Sequence, residues 1–371
     1  MFSSGSDFSK IKSSAKELTP EDLTVLIPVA PPAKCRVWRL WFIGLLGTIL
    51  LAWVVYKSTN TRVILTPMAA DTSCHSDAST VADMSQFTPG AAPIRCQPWD
   101  IGTGVTGYVW HAPNSRAVLL LQPGYGDYAH RYVKQNNQLI PHLLNAGISV
   151  YAFDMWGTGR SPGKRGVADV SQAVEDHLAA RRKLKEQPLP VFLFGHSLGG
   201  LVSATSMVRE QSGISGVILL APAIKYGANA FLRFVARVGG FIMPTLPGPL
   251  PVGKIEKLTH VTEAQDRIKN DPLLYIGRIT WVTLAGGAKI FHENWKLYPN
   301  VRVPVLALHG TADENTDPDG SRQLIETISS PDKTLHLIPD AYHAPLDDTD
   351  ADQTLQVIMT WLQDRLPPSR P

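Results

Sequence analysis

From about residue 100 onward the chain repeats one alternation, a short apolar run followed by an amphipathic stretch. The runs "VTGYVW" (105–110), "AVLLLQPG" (117–124), "ISVYAFD" (148–154), "PVFLFG" (190–195), "GVILLAP" (216–222), "PVLALHG" (304–310) and "KTLHLIP" (333–339) read as strands. Helical spacing fills the intervals. "RYVKQNNQLIPHLLNAG" predicts a helix stopped by Gly147, kinked or divided at Pro141. "DVSQAVEDHLAARRKLKEQ" predicts a helix with Asp169 or Ser171 as its N-cap. Further helices are expected from Leu198, around "GSRQLIETIS" and over "DQTLQVIMTWLQDRL". Short apolar strands alternating with amphipathic helices predict an α/β fold with a mostly parallel, doubly wound sheet.

Two stretches break the alternation. Residues 224–298 carry "FLRFVARVGGFIMPTLPGPLP" and a glycine-interrupted helical segment, with no obvious strand. This predicts a helical cap insertion over the carboxyl ends of the strands, the edge where open α/β sheets bind ligands. The other is "LWFIGLLGTILLAWVVY", residues 40–56, seventeen positions without a charge. As a helix it spans roughly 26 Å, slightly short of a hydrocarbon core of about 30 Å. Trp38, Trp41, Trp53 and Tyr56 sit at interfacial depth, and Arg36, Arg39 and Lys57 can reach outward. A buried helix would show a polar stripe, and a signal peptide would be followed by small residues; neither pattern is present. The expectation is a retained single transmembrane anchor.

The domain order follows: a cytoplasmic tail (1–39), the anchor (40–56), a Ser-, Thr-, Ala- and Pro-rich linker (57–97) and a globular domain (98–371). Lys34, Arg36 and Arg39 precede the span, with Lys10, Lys12 and Lys16 further back, and only Lys57 and Arg62 follow it closely. That bias places the N-terminus in the cytoplasm and the globular domain outside. Cys74 and Cys96 would then meet an oxidising compartment and could pair, or remain two free thiols, while Cys35 stays reduced. The three cysteines form no C-x-x-C pair, so a thiolate zinc site has no support. A net charge of +3 over 371 residues and the lack of a basic, aromatic-interleaved block give no sign of a nucleic-acid partner.

The chemistry concentrates in "FLFGHSLGG", 192–200. A serine flanked by glycines between strand and helix has the form of a nucleophile elbow. Gly195 and Gly199 remove side chains that would collide there, Gly200 lets the helix pack close, and the Leu198 N–H is an expected oxyanion donor. A serine nucleophile needs a base and an orienting carboxylate, ordered Ser, acid, His in this topology. Only His343 lies beyond the last predicted strand, and Asp313 is the first acid after "PVLALHG". Asp317 and Asp319 are expected to cap the next helix, His309 to be a buried structural residue, and His196 to point away from the serine. The loop "LQPGYGDYAHRY" offers a second oxyanion donor in the Tyr125 N–H, with Gly124 and Gly126 permitting close approach.

As a set, "PGYGDYAHRY", "FDMWGTGRSPGKRG", "GHSLGG" and the region from "HGTADENTDPDGSRQL" to "DKTLHLIPDAYHAPL" resemble the monoacylglycerol lipase and lysophospholipase branch of the α/β-hydrolases, also labelled serine aminopeptidase-like. The likeness covers roughly residues 98–366. It departs at Pro123, where the family has a loop histidine, and at Asp127-Tyr128, which replaces Glu-His. Carried over by position, the resemblance implies Ser197 as nucleophile, Asp313 as acid, His343 as base, and Tyr125 and Leu198 as oxyanion donors. It implies a lipid ester substrate, a monoacylglycerol or lysophospholipid, and no metal or cofactor. Phe231, Phe234, Val238, Phe241, Ile242 and Met243 of the insertion would suit an acyl chain, or would pack the insertion onto the core. An acyltransferase using the same triad, and a catalytically silent binding protein on this fold, are the alternative readings. The oligomeric state is left open.

Overall fold

The computed structural model describes residues 78–225, 229–251 and 253–368, together with Cys74 and the helical positions Trp41, Gly44, Leu45, Gly47 and Thr48. The chain divides into two compact units, residues 1–61 and 62–371. The expected cytoplasmic tail, Cys35 and most of the expected span 40–56 lie outside the described residues. Among the described residues no helix is long and apolar enough to cross a membrane.

In the second unit β1 (Val81–Ala82) and β2 (Ile94–Arg95) form a small antiparallel ribbon. The main sheet comprises β3 (Gln97–Pro98), β4 (Gly107–Trp110), β5 (Ala117–Gln122), β6 (Ile148–Phe153), β7 (Val191–His196) and β8 (Gly216–Leu220). After a second ribbon, β9 (Pro247–Pro251) with β10 (Arg278–Thr280), the main sheet is completed by β11 (Val305–Gly310) and β12 (Lys333–Ile338). Its strand order is β12-β11-β8-β7-β5-β6-β4-β3. From β12 to β6 every neighbour is parallel; β4 runs antiparallel to β6, and β3 to β4. The chain lays β6 on one side of β5 and then builds β7, β8, β11 and β12 on the other. The reversal opens a crevice at the carboxyl ends of β5 and β7, where a ligand site is expected in such sheets.

The helices are α1 (Arg131–Lys134), α2 (Leu139–Asn145), α3 (Val170–Leu184), α4 (Leu198–Arg209), α5 (Ala230–Ile242), α6 (Thr262–Asn270), α7 (Trp281–Leu297), α8 (Pro318–Thr327) and α9 (Ala351–Gln363). Alternate residues of β5 enter two different cores. Leu119 and Leu121 pack with Tyr132 of α1, Leu143 of α2 and Trp361 of α9. Val118 and Leu120 pack with Val174 of α3, Leu201 of α4 and Leu324 of α8. Burial on both faces explains why the strands read as continuous apolar runs rather than as alternating ones.

Three expectations are corrected. The helix expected over 131–147 is broken at Asn136–Gln138, where three residues adopt left-handed backbone (φ 51, 48 and 48), and not at Pro141, which sits in the first turn of α2. A proline early in a helix lacks only an N–H that the helix would not use. The insertion contains a strand pair, β9 with β10, although "PGPLP" has poor strand propensity. Of the segment read as linker, the described residues belong to the globular unit: Cys74, Ala82, Met84 and Cys96 are buried with Tyr108 and Trp110, and the Trp110 indole donates to the Thr80 carbonyl at 2.8 Å.

Cys74 and Cys96 are bridged and buried. Their separation of 22 residues corresponds to about 3 kcal/mol of chain-entropy stabilisation. Cys96→Ser, or reduction confirmed by thiol mass, should therefore lower the thermal midpoint of unfolding by several degrees. An unchanged midpoint with both thiols free would show that the bridge contributes nothing to this unit.

Candidate active site

β7 ends at His196 and α4 begins at Leu198, leaving Ser197 alone in the turn with φ 54 and ψ −120. A non-glycine residue here costs roughly 1–3 kcal/mol and persists only where its surroundings fix it. The Ser197 N–H donates to the Leu220 carbonyl at 3.0 Å, and its carbonyl accepts from Ala223 (3.0 Å) and Leu201 (3.2 Å). Its glycine neighbours are sterically required. A Cβ on Gly195 would lie 2.4 Å from the Gly199 carbonyl oxygen, one on Gly199 2.1 Å from that of Gln122, and one on Gly200 2.7 Å from Pro222 Cβ.

The loops after β11 and β12 bring Asp313 and His343 to this turn. The Ser197 hydroxyl donates to His343 Nε2 at 2.8 Å, and His343 Nδ1–H donates to Asp313 Oδ2 at 2.8 Å. Asp313 and His343 are buried. Asp313 Oδ1 accepts the Asn315 and Thr316 N–H groups at 2.8 and 3.0 Å, and Oδ2 also accepts from Thr316 Oγ1 at 2.8 Å and His309 Nε2 at 3.1 Å. Burial opposes the charge on Asp313. The facing His343 and the donors from His309 and His343 outweigh it and hold the carboxyl well below the usual range, so it stays ionised at neutral pH.

His309 is the buried structural histidine expected, and its structural task is Asp313 itself: with Nε2–H on the carboxylate, its Nδ1 accepts from Ser321 Oγ at 2.8 Å. Thr316 was not singled out by the sequence; the available signal was a hydroxyl three residues after an acid in a turn, where it can fold back onto the carboxylate. His196 points away from the serine hydroxyl. Its Nε2–H donates to the His343 carbonyl at 3.0 Å, and burial, followed by the His343 charge, lowers its pKa to about 4, which keeps it neutral. Asp317 caps α8, accepting from the Asp319 N–H at 2.9 Å; Asp319 itself lies inside the first turn.

Tyr125 and Leu198, the expected oxyanion donors, line the same cavity as Ser197 and His343, a space of about 390 Å³. The N-terminus of α4 opens onto it at Leu198, which favours negative charge there. Leu250, Leu258, Ile279, Leu284 and Phe291 give the cavity an apolar wall. A smaller recess of about 100 Å³ shares Ser197 and His343 and is bounded by Asp127, Arg131 and Tyr275.

The insertion residues expected at an acyl chain do not line this cavity. Phe231, Phe234, Val238, Phe241, Ile242 and Met243 are all solvent-facing. The reason is the opposite face of α5. Gly239 and Gly240 admit Trp281 and Ala285 of α7 so closely that a Cβ at either position would approach within 2.3 and 2.5 Å. The small face of α5 therefore packs inward, and its bulky apolar face turns out.

The family model of serine aminopeptidase, S33, matches residues 113–350. The monoacylglycerol lipase of Mycolicibacterium smegmatis is 29% identical over 261 residues, covering 68% of this chain and 89% of that protein. Human monoglyceride lipase is 29% identical over 238 residues, covering 62% and 75%. Among solved structures, the Paleococcus ferrophilus monoacylglycerol lipase superposes with a TM-score of 0.64 at 33% identity, over 70% of this chain and 99% of that one. The mostly parallel sheet with its strand–serine–helix elbow is an α/β-hydrolase fold, and the chain belongs to the serine aminopeptidase S33 family.

Proposed function

We propose that this protein is a membrane-anchored, monoacylglycerol lipase-like serine hydrolase that cleaves a monoacylglycerol or lysophospholipid through an acyl-enzyme. The observation that carries the reading is the hydrogen-bonded chain Ser197–His343–Asp313 at the edge of a cavity with an apolar wall. The named relatives and the exposed apolar face of α5 support a lipid ester over a water-soluble one.

In this mechanism Ser197 Oγ attacks the ester carbonyl carbon as its proton passes to His343 Nε2. Asp313 holds the resulting imidazolium by its Nδ1–H. The carbonyl oxygen becomes an oxyanion held by the Tyr125 and Leu198 N–H groups. The tetrahedral centre collapses, the ester C–O bond breaks, and His343 returns the proton to the departing alkoxide. Water then attacks the acyl-enzyme with the same histidine as base and releases the fatty acid. Residues 40–56 are the proposed anchor, with the N-terminus cytoplasmic and the globular unit outside. Tethering raises the local concentration of a membrane lipid without entering the chemistry.

The test uses the full chain in vesicles that carry monoacylglycerol or lysophospholipid. A fluorophosphonate should label Ser197, and fatty acid should be released. Absence of both would sink the enzyme reading in favour of a binding protein. Added glycerol separates the remaining rival: a new glycerol ester in place of free acid would mean acyl transfer. Full extraction of the chain from membranes by alkaline carbonate would remove the anchor from the proposal and leave the hydrolase.

A further inference from the structure

We infer that Tyr128 is a positioning residue that fastens the cap segment 271–280 onto the oxyanion loop and so fixes the Tyr125 N–H. The inference rests on the hydrolase reading above. It starts from one of the departures from the family motif, Asp127-Tyr128 in place of Glu-His.

The loop from Gly124 to Tyr128 is gripped from two sides. On the sheet side the buried Asp154 carboxylate accepts the Ala129 N–H at 2.9 Å and the Arg160 N–H at 2.8 Å, and Asp127 Oδ1 accepts from Arg131 Nη1 at 2.9 Å. On the cap side three bonds meet Tyr125, Gly126 and Tyr128. The Tyr128 hydroxyl donates to Asp271 Oδ2 at 2.7 Å. The Tyr275 N–H donates to the Gly126 carbonyl at 3.0 Å. The Thr280 N–H donates to the Tyr125 hydroxyl at 3.3 Å, and that hydroxyl donates to the Gly166 carbonyl at 2.6 Å. Gly126 has φ +73, and a Cβ there would lie 2.3 Å from the Tyr275 carbonyl oxygen, so loop and cap are in backbone contact.

The three cap-side bonds are unequal. Tyr128 to Asp271 is the one in which a neutral donor meets a carboxylate, and such bonds are the strong class. Asp271 also organises its own segment, since its Oδ1 accepts the Leu273 N–H at 2.9 Å. One carboxylate thus shapes the turn that presents the Tyr275 N–H and ties that turn to the loop. Tyr125 takes one cap-side bond on its own hydroxyl and directly precedes Gly126, which takes another, so the direction of its N–H depends on the cap being seated. The cap therefore helps build the oxyanion site, in addition to covering the acyl cavity.

The experiment uses full-length protein and 4-nitrophenyl acetate, whose acyl group is too short to depend on the apolar cavity. Tyr128→Phe keeps the ring and removes the donor. We expect kcat to fall about ten-fold or more, the expected scale for a lost bond to a charged acceptor, with KM changed less than about two-fold. The rate of fluorophosphonate labelling should fall in parallel, because the phosphoryl oxygen of that adduct uses the same N–H groups. Asp271→Ala should reproduce the loss, and the double variant should be no worse than either single one. Asp271→Asn keeps an oxygen acceptor and should restore most of what Asp271→Ala loses. Should Tyr128→Phe fail to fold, Asp271→Ala with the Asn comparison carries the same test. Wild-type kcat in both single variants, a loss confined to KM for long-chain esters, or fully additive losses in the double variant would each overturn the inference. A wild-type protein that turns over no ester would instead remove the parent reading and this one with it.

Discussion

Ser197→Ala is expected to lower kcat for ester hydrolysis by a factor on the order of 10⁵ to 10⁶, with the protein still folded. The size follows from the hydroxyl's position as the first member of the chain to His343 and Asp313: without it no acyl-enzyme forms, and only binding and the oxyanion donors remain. The effect on folding should be small. Alanine takes the same backbone conformation at the same strain, and the lost hydroxyl makes one hydrogen bond at a partly exposed position, about 1 kcal/mol. Turnover and fluorophosphonate labelling should therefore vanish together while the thermal midpoint moves by only a few degrees. Labelling that persists at another residue, or turnover above about one per cent of wild type in a folded variant, would require a different nucleophile.

The site was legible in the sequence where a local steric rule dictates the residue. Gly195, Gly199 and Gly200 surround Ser197 because backbone or proline atoms stand within 2.7 Å of where their Cβ atoms would be. Asp313 and His343, the proposed acid and base, could be picked out because strand ends are visible as apolar runs, and the loops after β11 and β12 hold few candidates. What stayed hidden was decided by packing between distant segments. Nothing in "PGPLP" marks a strand, and β9 exists because β10 pairs with it from 278–280. The break after α1 uses Asn136, Asn137 and Gln138 rather than a glycine, and asparagine, though it tolerates left-handed backbone, is weaker punctuation than glycine. The apolar face of α5 was visible as a pattern, but a pattern carries no direction. The glycines facing Trp281 and Ala285 turn that face outward. Thr316 folds back onto Asp313 through the turn at 313–316 and His309 meets it from the end of β11, and only the first of these contacts left a trace in the spacing.

Asp313→Asn should cost nearly as much as loss of the nucleophile, about 10⁴ in kcat, and here for two separable reasons. The first is chemical. Asp313 holds His343 with Nδ1–H toward the carboxylate and Nε2 free to accept the serine proton, and it offsets the charge when the imidazolium forms. An amide offers neither the charge nor a guarantee of that tautomer. The second is particular to this cradle. Both carboxylate oxygens are surrounded by donors: two backbone N–H groups on Oδ1, and His343, His309 and Thr316 on Oδ2. Whichever way an asparagine is turned, its NH₂ faces donors, so either the 313–316 turn or the two histidines must reorient. The variant should accordingly lose stability, by about 1–3 kcal/mol for buried donors left unmatched, in addition to activity. Asp317→Asn is the informative control. Asparagine caps a helix about as well as aspartate, and the solvent-screened ion pair from Asp317 to Lys225 at 2.9 Å contributes little, so its kcat should stay near wild type. Kinetics and thermal melts on the two variants side by side decide the matter. A severe loss in Asp317→Asn with Asp313→Asn near wild type would move the acid four residues along the loop. Loss of activity in Asp313→Asn without any change in stability would mean that the donors around it rearrange freely, and that the cradle does not hold the carboxylate in place.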